Sequence, residues 1–177
     1  MASSLSYLIG QPLTWIPTAT FKARYNLIAP DNTTLATLDM SNWTSKAHAS
    51  VPEGTLFIQK ESWTGRKVAI ALGEQGPQIA TYQRTWTGKN GQLVFPDGRA
   101  FHWGKVNFWG TQKAWTDPTS NLTYVQFSAG SFSRKSNVDI RPQATEIPEL
   151  SLLLVLGLYN ILIERRDSAA AASAASV

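Results

Sequence analysis

From Phe21 to Arg141, apolar and polar positions alternate in short stretches separated by turn residues, a pattern that predicts strands. Phe21–Ile28, Thr34–Met40, Lys46–Val51, Thr55–Trp63, Arg66–Leu72, Ile79–Trp86, Gln92–Phe95, Arg99–Trp103, Trp109–Trp115, Leu122–Ser128 and Val138–Arg141 each fit, with Phe132 as a further short strand. Turn chemistry falls between them: Pro30-Asp31-Asn32, Asn90-Gly91, Pro96-Asp97-Gly98 and Asp117-Pro118. Roughly ten to twelve strands at this spacing fit a sandwich or a barrel. Residues 1–20 are expected to be irregular, because Pro12 and Pro17 interrupt them.

The pattern then changes. Leu150 to Ile163 is apolar on every side, and Leu152, Leu153, Leu154, Val155, Leu156, Leu158, Ile161 and Leu162 point all round a helix axis. A helix without a polar face must be enclosed by lipid or by protein. At 1.5 Å per residue the run reaches about 21 Å, short of a hydrocarbon core near 30 Å. The reading is a helix over about residues 148–166 enclosed by β-structure. Pro148 suits its first turn, Glu149 complements the positive end of its dipole, and Arg165-Arg166 the negative end. The expected organisation is an irregular segment 1–20, a domain 21–167, and an Ala/Ser-rich tail 168–177 that prolongs the helix or frays. Gly157 weakens the helix, which a close neighbour would compensate, and Asn160 needs hydrogen-bond partners if enclosed.

Composition narrows the class. The chain has 177 residues, enough for one domain with a real core, and only 16% of them are charged. Net charge is +4, but the cations are scattered and form no run fit for nucleic acid, so no nucleic-acid partner is expected. Cysteine is absent, which excludes disulfides, thiolate metal sites and cysteine nucleophiles. The amino end lacks a basic segment and a long apolar core, so no secretory signal is expected and the cytoplasm is the default location.

Candidate chemistry is sparse. His48 and His102 stand apart, without the further ligands a metal would need, so no metal or cofactor is expected. Ala129-Gly130-Ser131-Phe132-Ser133 does not match a nucleophile elbow, and Gly88-Lys89-Asn90-Gly91 is a hairpin turn and no phosphate loop. Most carboxylates fall in turns, so no acid/base pair emerges and no enzyme activity is expected. One pattern recurs: Trp43-Thr44-Ser45-Lys46, Trp63-Thr64-Gly65-Arg66 and Trp86-Thr87-Gly88-Lys89 share tryptophan, threonine, a small residue and a cation. Its plain reading is repeated strand-end and turn chemistry. Trp63, Trp86, Arg66, Lys67 and Lys89 are the candidate headgroup-binding set, because aromatic rings and cations are favoured together at a membrane interface.

Two groups of motifs carry a family resemblance. Many strands followed by Pro148-Glu149-Leu150-x-Leu152-Leu153, an apolar helix and Arg165-Arg166-Asp167 resemble the tubby C-terminal-like superfamily, which includes tubby domains, phospholipid scramblases and LURP-one-related proteins. Asp97-Gly98-Arg99-x-Phe101-x-Trp103, Phe108-Trp109 and Trp115-x-Asp117 are similar to small members of that group. The likeness spans Phe21 to Asp167. It implies a mainly β fold, a closed antiparallel barrel of about 12 strands around a central C-terminal hydrophobic helix. By class it implies a non-enzymatic domain that meets phospholipid headgroups, an anionic phospholipid or phosphoinositide, or a protein partner at a membrane surface. The scramblase palmitoylation cysteines have no counterpart in this chain. A structural or protein-interaction module without a lipid role, and a tail-anchored membrane protein, stand as alternatives.

Overall fold

The computed structural model describes residues 5–129 and 133–176. Twelve strands run in chain order: β1 (Leu13–Pro17), β2 (Ala23–Ile28), β3 (Thr34–Met40), β4 (Ala47–Val51), β5 (Gly54–Lys60), β6 (Lys67–Leu72), β7 (Gln78–Arg84), β8 (Gly91–Val94), β9 (Ala100–Lys105), β10 (Gln112–Thr116), β11 (Thr123–Ser128) and β12 (Ser136–Ile140). Each pairs antiparallel with its chain neighbours, and β1 closes the ring on β12 through Leu13↔Val138 and Trp15↔Ser136. One helix, α1 (Leu150–Ala175), follows.

Strand side chains alternate as the pleat requires. Leu13 and Trp15, Tyr25 and Leu27, Leu38 and Met40, and Val125 and Phe127 are buried, while the positions between them are partly exposed; in β5 and β6 burial runs on through Leu56-Phe57-Ile58 and Val68-Ala69-Ile70. Every residue of α1 from Leu150 to Ile163 is buried. The helix packs on β3, β4, β10 and β11. Small lumen residues in β4, Ala47 and Ala49, leave room for it there. Opposite them, the helix itself is small: a Cβ on Gly157 would run into the ring of Phe127. The compensation for a glycine in mid-helix is therefore the close approach of β11. The Trp115 indole N–H donates to Leu153 O across 2.8 Å of buried space, tying β10 to the helix backbone.

Four expectations need correction. The described part of the 1–20 segment is not irregular throughout: a short 3-10 turn at Ser6–Leu8 precedes β1. Pro12 lies before β1 and Pro17 is its last residue, where the chain leaves the ladder, so neither removes a needed donor. The helix begins at Leu150, with Glu149 as its N-cap residue and Pro148 outside, and it extends through the Ala/Ser-rich stretch to Ala175. Arg165 and Arg166 thus lie mid-helix and cannot serve the negative dipole end. Asn160 is buried, yet neither its amide oxygen nor its nitrogen has a partner among the described residues. Phe132 lies outside the described residues. No described helix is long and apolar enough to cross a membrane.

Each buried aliphatic side chain of α1 contributes roughly 1.5–3 kcal/mol, and several together exceed a domain's net stability of about 5–15 kcal/mol. Truncation before Pro148 is expected to abolish the cooperative thermal melt, followed by circular dichroism, and Leu154→Asp to act alike by burying an unpaired charge. A truncated chain that melts near the full-length temperature refutes the helix as core. Gly157→Ala is expected to lower stability by about 1–3 kcal/mol through the Phe127 clash, despite alanine's higher helix propensity of about 1 kcal/mol. In a double-mutant cycle with Phe127→Leu the two losses should be less than additive, and strict additivity would show that the ring is not the obstacle.

Candidate functional site

In an up-and-down barrel, alternate connections share an end. The connections β1–β2, β3–β4, β5–β6, β7–β8, β9–β10 and β11–β12 form one rim, and the others form the opposite end. Large exposed aromatic side chains crowd the first rim. Phe21, Trp43, Trp63, Trp86, Phe108 and Trp109 sit in its loops, with exposures from 81% for Trp109 to 98% for Trp63. The other three tryptophans, Trp15, Trp103 and Trp115, are fully buried strand residues. Tryptophan is thus split between the core and one rim.

Three of these loops share one turn. Gly65 N–H donates to Ser62 O, Gly88 N–H to Thr85 O and Gly110 N–H to Asn107 O, at 2.9, 2.9 and 3.2 Å. Each closing glycine is left-handed, with φ of 67°, 68° and 69°, a conformation that disfavours side chains. The two central positions, at the tip, are Trp63 and Thr64, Trp86 and Thr87, and Phe108 and Trp109. Hydroxyl pairs brace two of the tips, Ser62 to Thr64 at 2.9 Å and Thr85 to Thr87 at 3.2 Å. In the β3–β4 loop, Ser41 Oγ takes that bracing role by accepting from the Trp43 and Thr44 amides. The tryptophan-threonine-small-cation echo is therefore three successive tips of one rim.

Charge follows the same division. The rim loops and the emerging helix carry Lys22, Lys46, Arg66, Lys89, Arg134, Lys135, Arg165 and Arg166, against Glu61, Glu164 and Asp167. The opposite connections carry Asp31, Glu53, Glu74, Asp97, Asp117, Glu146 and Glu149, against Arg99 and Arg141. At that acidic end Arg99 binds both Glu149 oxygens, at 2.7 and 2.6 Å, and Asp97 at 2.7 Å, fixing the start of α1. At the rim end, Tyr159 O–H donates to Ser45 O at 2.8 Å, Arg165 to Ser133 O at 3.0 Å and Arg166 to Thr44 O at 3.1 Å.

The sequence-predicted set is only partly assembled. The Arg66 guanidinium stacks over the Trp86 ring at 4.4 Å, and both line a cleft of about 320 Å³ between the β5–β6 and β7–β8 loops. Trp63, Lys67 and Lys89 do not line it, and Lys67 is paired with Glu61 at 2.7 Å. The cleft also holds Asp167, which accepts from buried Arg84 at 2.9 Å, so a carboxylate faces any incoming anion. Burial pushes Lys60 nearby below its usual pKa. Lys113, in ion-pair contact with Glu164, is pushed down to about 8 by burial and by the Lys89 and Arg84 cations. Across the rim lies a second cleft of about 310 Å³, lined by Phe21, Lys22, Asn42, Arg134, Arg165 and Arg166 over Tyr25, Met40 and Leu162. It contains no carboxylate among its lining residues. Sequence reasoning missed these cations and Phe21, Trp43, Phe108 and Trp109 as rim residues. The signal that could have found them is loop parity, once the meander is recognised.

Among the described residues no group of three or more His, Asp or Glu is placed to hold a metal ion. No family model matches the chain, and no curated protein matches it. A solved X-ray structure of a protein from Arabidopsis thaliana, AT5G01750, has a similar fold: TM-score 0.57 at 12% identity, covering 94% of this chain and 98% of that one. At that identity the likeness concerns fold alone.

Proposed function

We propose that this chain is a non-enzymatic barrel of the tubby-like kind that docks end-on to an anionic bilayer through its aromatic and basic rim. The observation that carries the reading is the segregation of exposed Phe and Trp to one end, with most of the cations that form no ion pair among the described residues. Exposed large apolar groups that a fold does not need to expose mark an interaction surface. Tryptophan and tyrosine are favoured at the headgroup level, where an apolar body and a polar handle both find partners. A cation near an anionic leaflet adds about 1 kcal/mol. The barrel wall argues against burial in lipid: outward positions such as Thr34, Thr37, Asp39, His48 and Ser50 are polar. A basic partner surface would be repelled by this rim, and an uncharged one would make no use of its cations.

Flotation with phosphatidylcholine vesicles, with and without phosphatidylserine, tests this. Binding is expected only with the anionic lipid, with a blue shift of tryptophan fluorescence as the rim rings leave water. It should fall as salt rises from ~0.1 to ~1 M, where the screening length drops from about 10 to about 3 Å. A combined Trp43→Ser, Trp63→Ser and Trp86→Ser variant should bind at least about tenfold more weakly, a loss of about 1.4 kcal/mol or more. A chain that stays with the aqueous fraction at low salt, its fluorescence unmoved, refutes membrane docking.

A further inference from the structure

The rim is not uniform, and one part of it has the makings of a specific site. The cleft between the β1–β2 and β3–β4 loops, the residues just before β12 and α1 gathers Lys22, Arg134, Arg165 and Arg166. None of these four forms an ion pair among the described residues, whereas Arg24, Lys67, Arg84, Arg99, Lys113 and Arg141 all do. The three guanidiniums are held by neutral backbone carbonyls instead. Arg134 donates to Ala19 O at 3.0 Å and Thr20 O at 3.4 Å, Arg165 to Ser133 O at 3.0 Å, and Arg166 to Thr44 O at 3.1 Å. A carbonyl orients a guanidinium without cancelling its charge, and each leaves N–H donors unused. Burial also drives Arg166 below its usual pKa, so this cation is already partly stripped of water.

We propose that this cleft binds a phosphomonoester dianion, with Arg134, Arg165 and Arg166 as its ligands and Lys22 closing the open side. The reasoning is chemical. Several cations converging without a carboxylate repel one another, and a doubly charged anion with three free oxygens relieves that better than a monoanionic phosphodiester. The volume, about 310 Å³, admits a phosphate and a few attached atoms and excludes a large ligand. Phe21, which lines the mouth and is exposed, places the cleft at the level where the rim would meet headgroups. The Arg66 cleft, with Asp167 in its lining, lacks this character.

The inference deepens the docking reading by naming the headgroup chemistry, but the site can be tested apart from membranes. In the first arm, the full chain is titrated with glycerol 3-phosphate and followed by amide NMR shifts. Shifts should appear around Phe21, Asn42 and Arg134, and an Arg134→Gln plus Arg165→Gln variant should lose at least about tenfold in affinity per guanidinium. Arg141→Gln, at the acidic end, should bind as the parent does, and thermal melts confirm that all variants fold. In the second arm, vesicles containing phosphatidic acid are compared with phosphatidylserine vesicles of matched surface potential. Preference for phosphatidic acid, lost in the double variant, identifies a lipid headgroup. Glycerol 3-phosphate binding without vesicle preference identifies a soluble phosphate and leaves the cleft standing, and flotation with phosphatidylserine then decides docking separately. Saturable binding in neither arm, or binding unchanged in a double variant that folds normally, overturns the site. In that case salt-sensitive flotation with phosphatidylserine would still uphold the docking rim.

Discussion

A helix that is apolar on every side has no stable place in water, and the whole architecture answers that constraint. Twelve strands surround Leu150–Ile163, and in turn the helix fills a lumen that a closed sheet of this size could not fill with its own inward side chains. Neither part is stable as drawn without the other. The mutual fit is local and specific: Gly157 accommodates the Phe127 ring, and the Trp115 indole bonds the Leu153 carbonyl. Both ends of the helix are then pinned, by Arg99 on Glu149 at one and by Tyr159, Arg165 and Arg166 on loop carbonyls at the other.

Filling the lumen decides where function can sit. A barrel plugged in this way gives its lumen over to Leu150–Ile163, all of it buried. Much of its wall is polar, as at Thr37, Asp39, His48 and Ser50. What remains are the two ends, and a twelve-strand meander makes them chemically independent, since each end is built from its own alternate set of loops. Aromatic residues and cations can collect at one end without altering a single strand. Here they have, and most of the acidic residues occupy the other.

That division explains what was legible in the sequence. Strands β2 to β12 were visible because half-buried strands alternate, and the enclosed helix because it lacked a polar face. β1 was hidden, since Pro12 and Pro17 read as breakers although both sit where the ladder has no use for their missing N–H. The helix end was misjudged because Arg165 and Arg166 look like terminal residues, whereas they reach sideways to the loops of the rim. The candidate site was half legible. Arg66 and Trp86 come from successive hairpins and stack, but Lys22 and Arg134 are over a hundred residues apart and meet only because β1 pairs with β12. No local pattern announces a contact made by closing a ring.

The rim also bears on how the molecule would approach a charged surface. With cations at one end of the barrel and carboxylates at the other, the charge distribution has a long-axis dipole, and an anionic plane orients it before contact. Orientation alone gives weak, salt-sensitive association. The aromatic tips convert it into insertion, and their bracing matters for that step. Side chains on floppy loops would lose conformational freedom on entering an ordered headgroup layer. Tips closed by left-handed glycines and hydroxyl pairs have given up much of that freedom on folding. The same stability that the buried helix confers on the barrel thus serves the rim, because loops anchored to a rigid cylinder present their rings at one end at little further entropic cost.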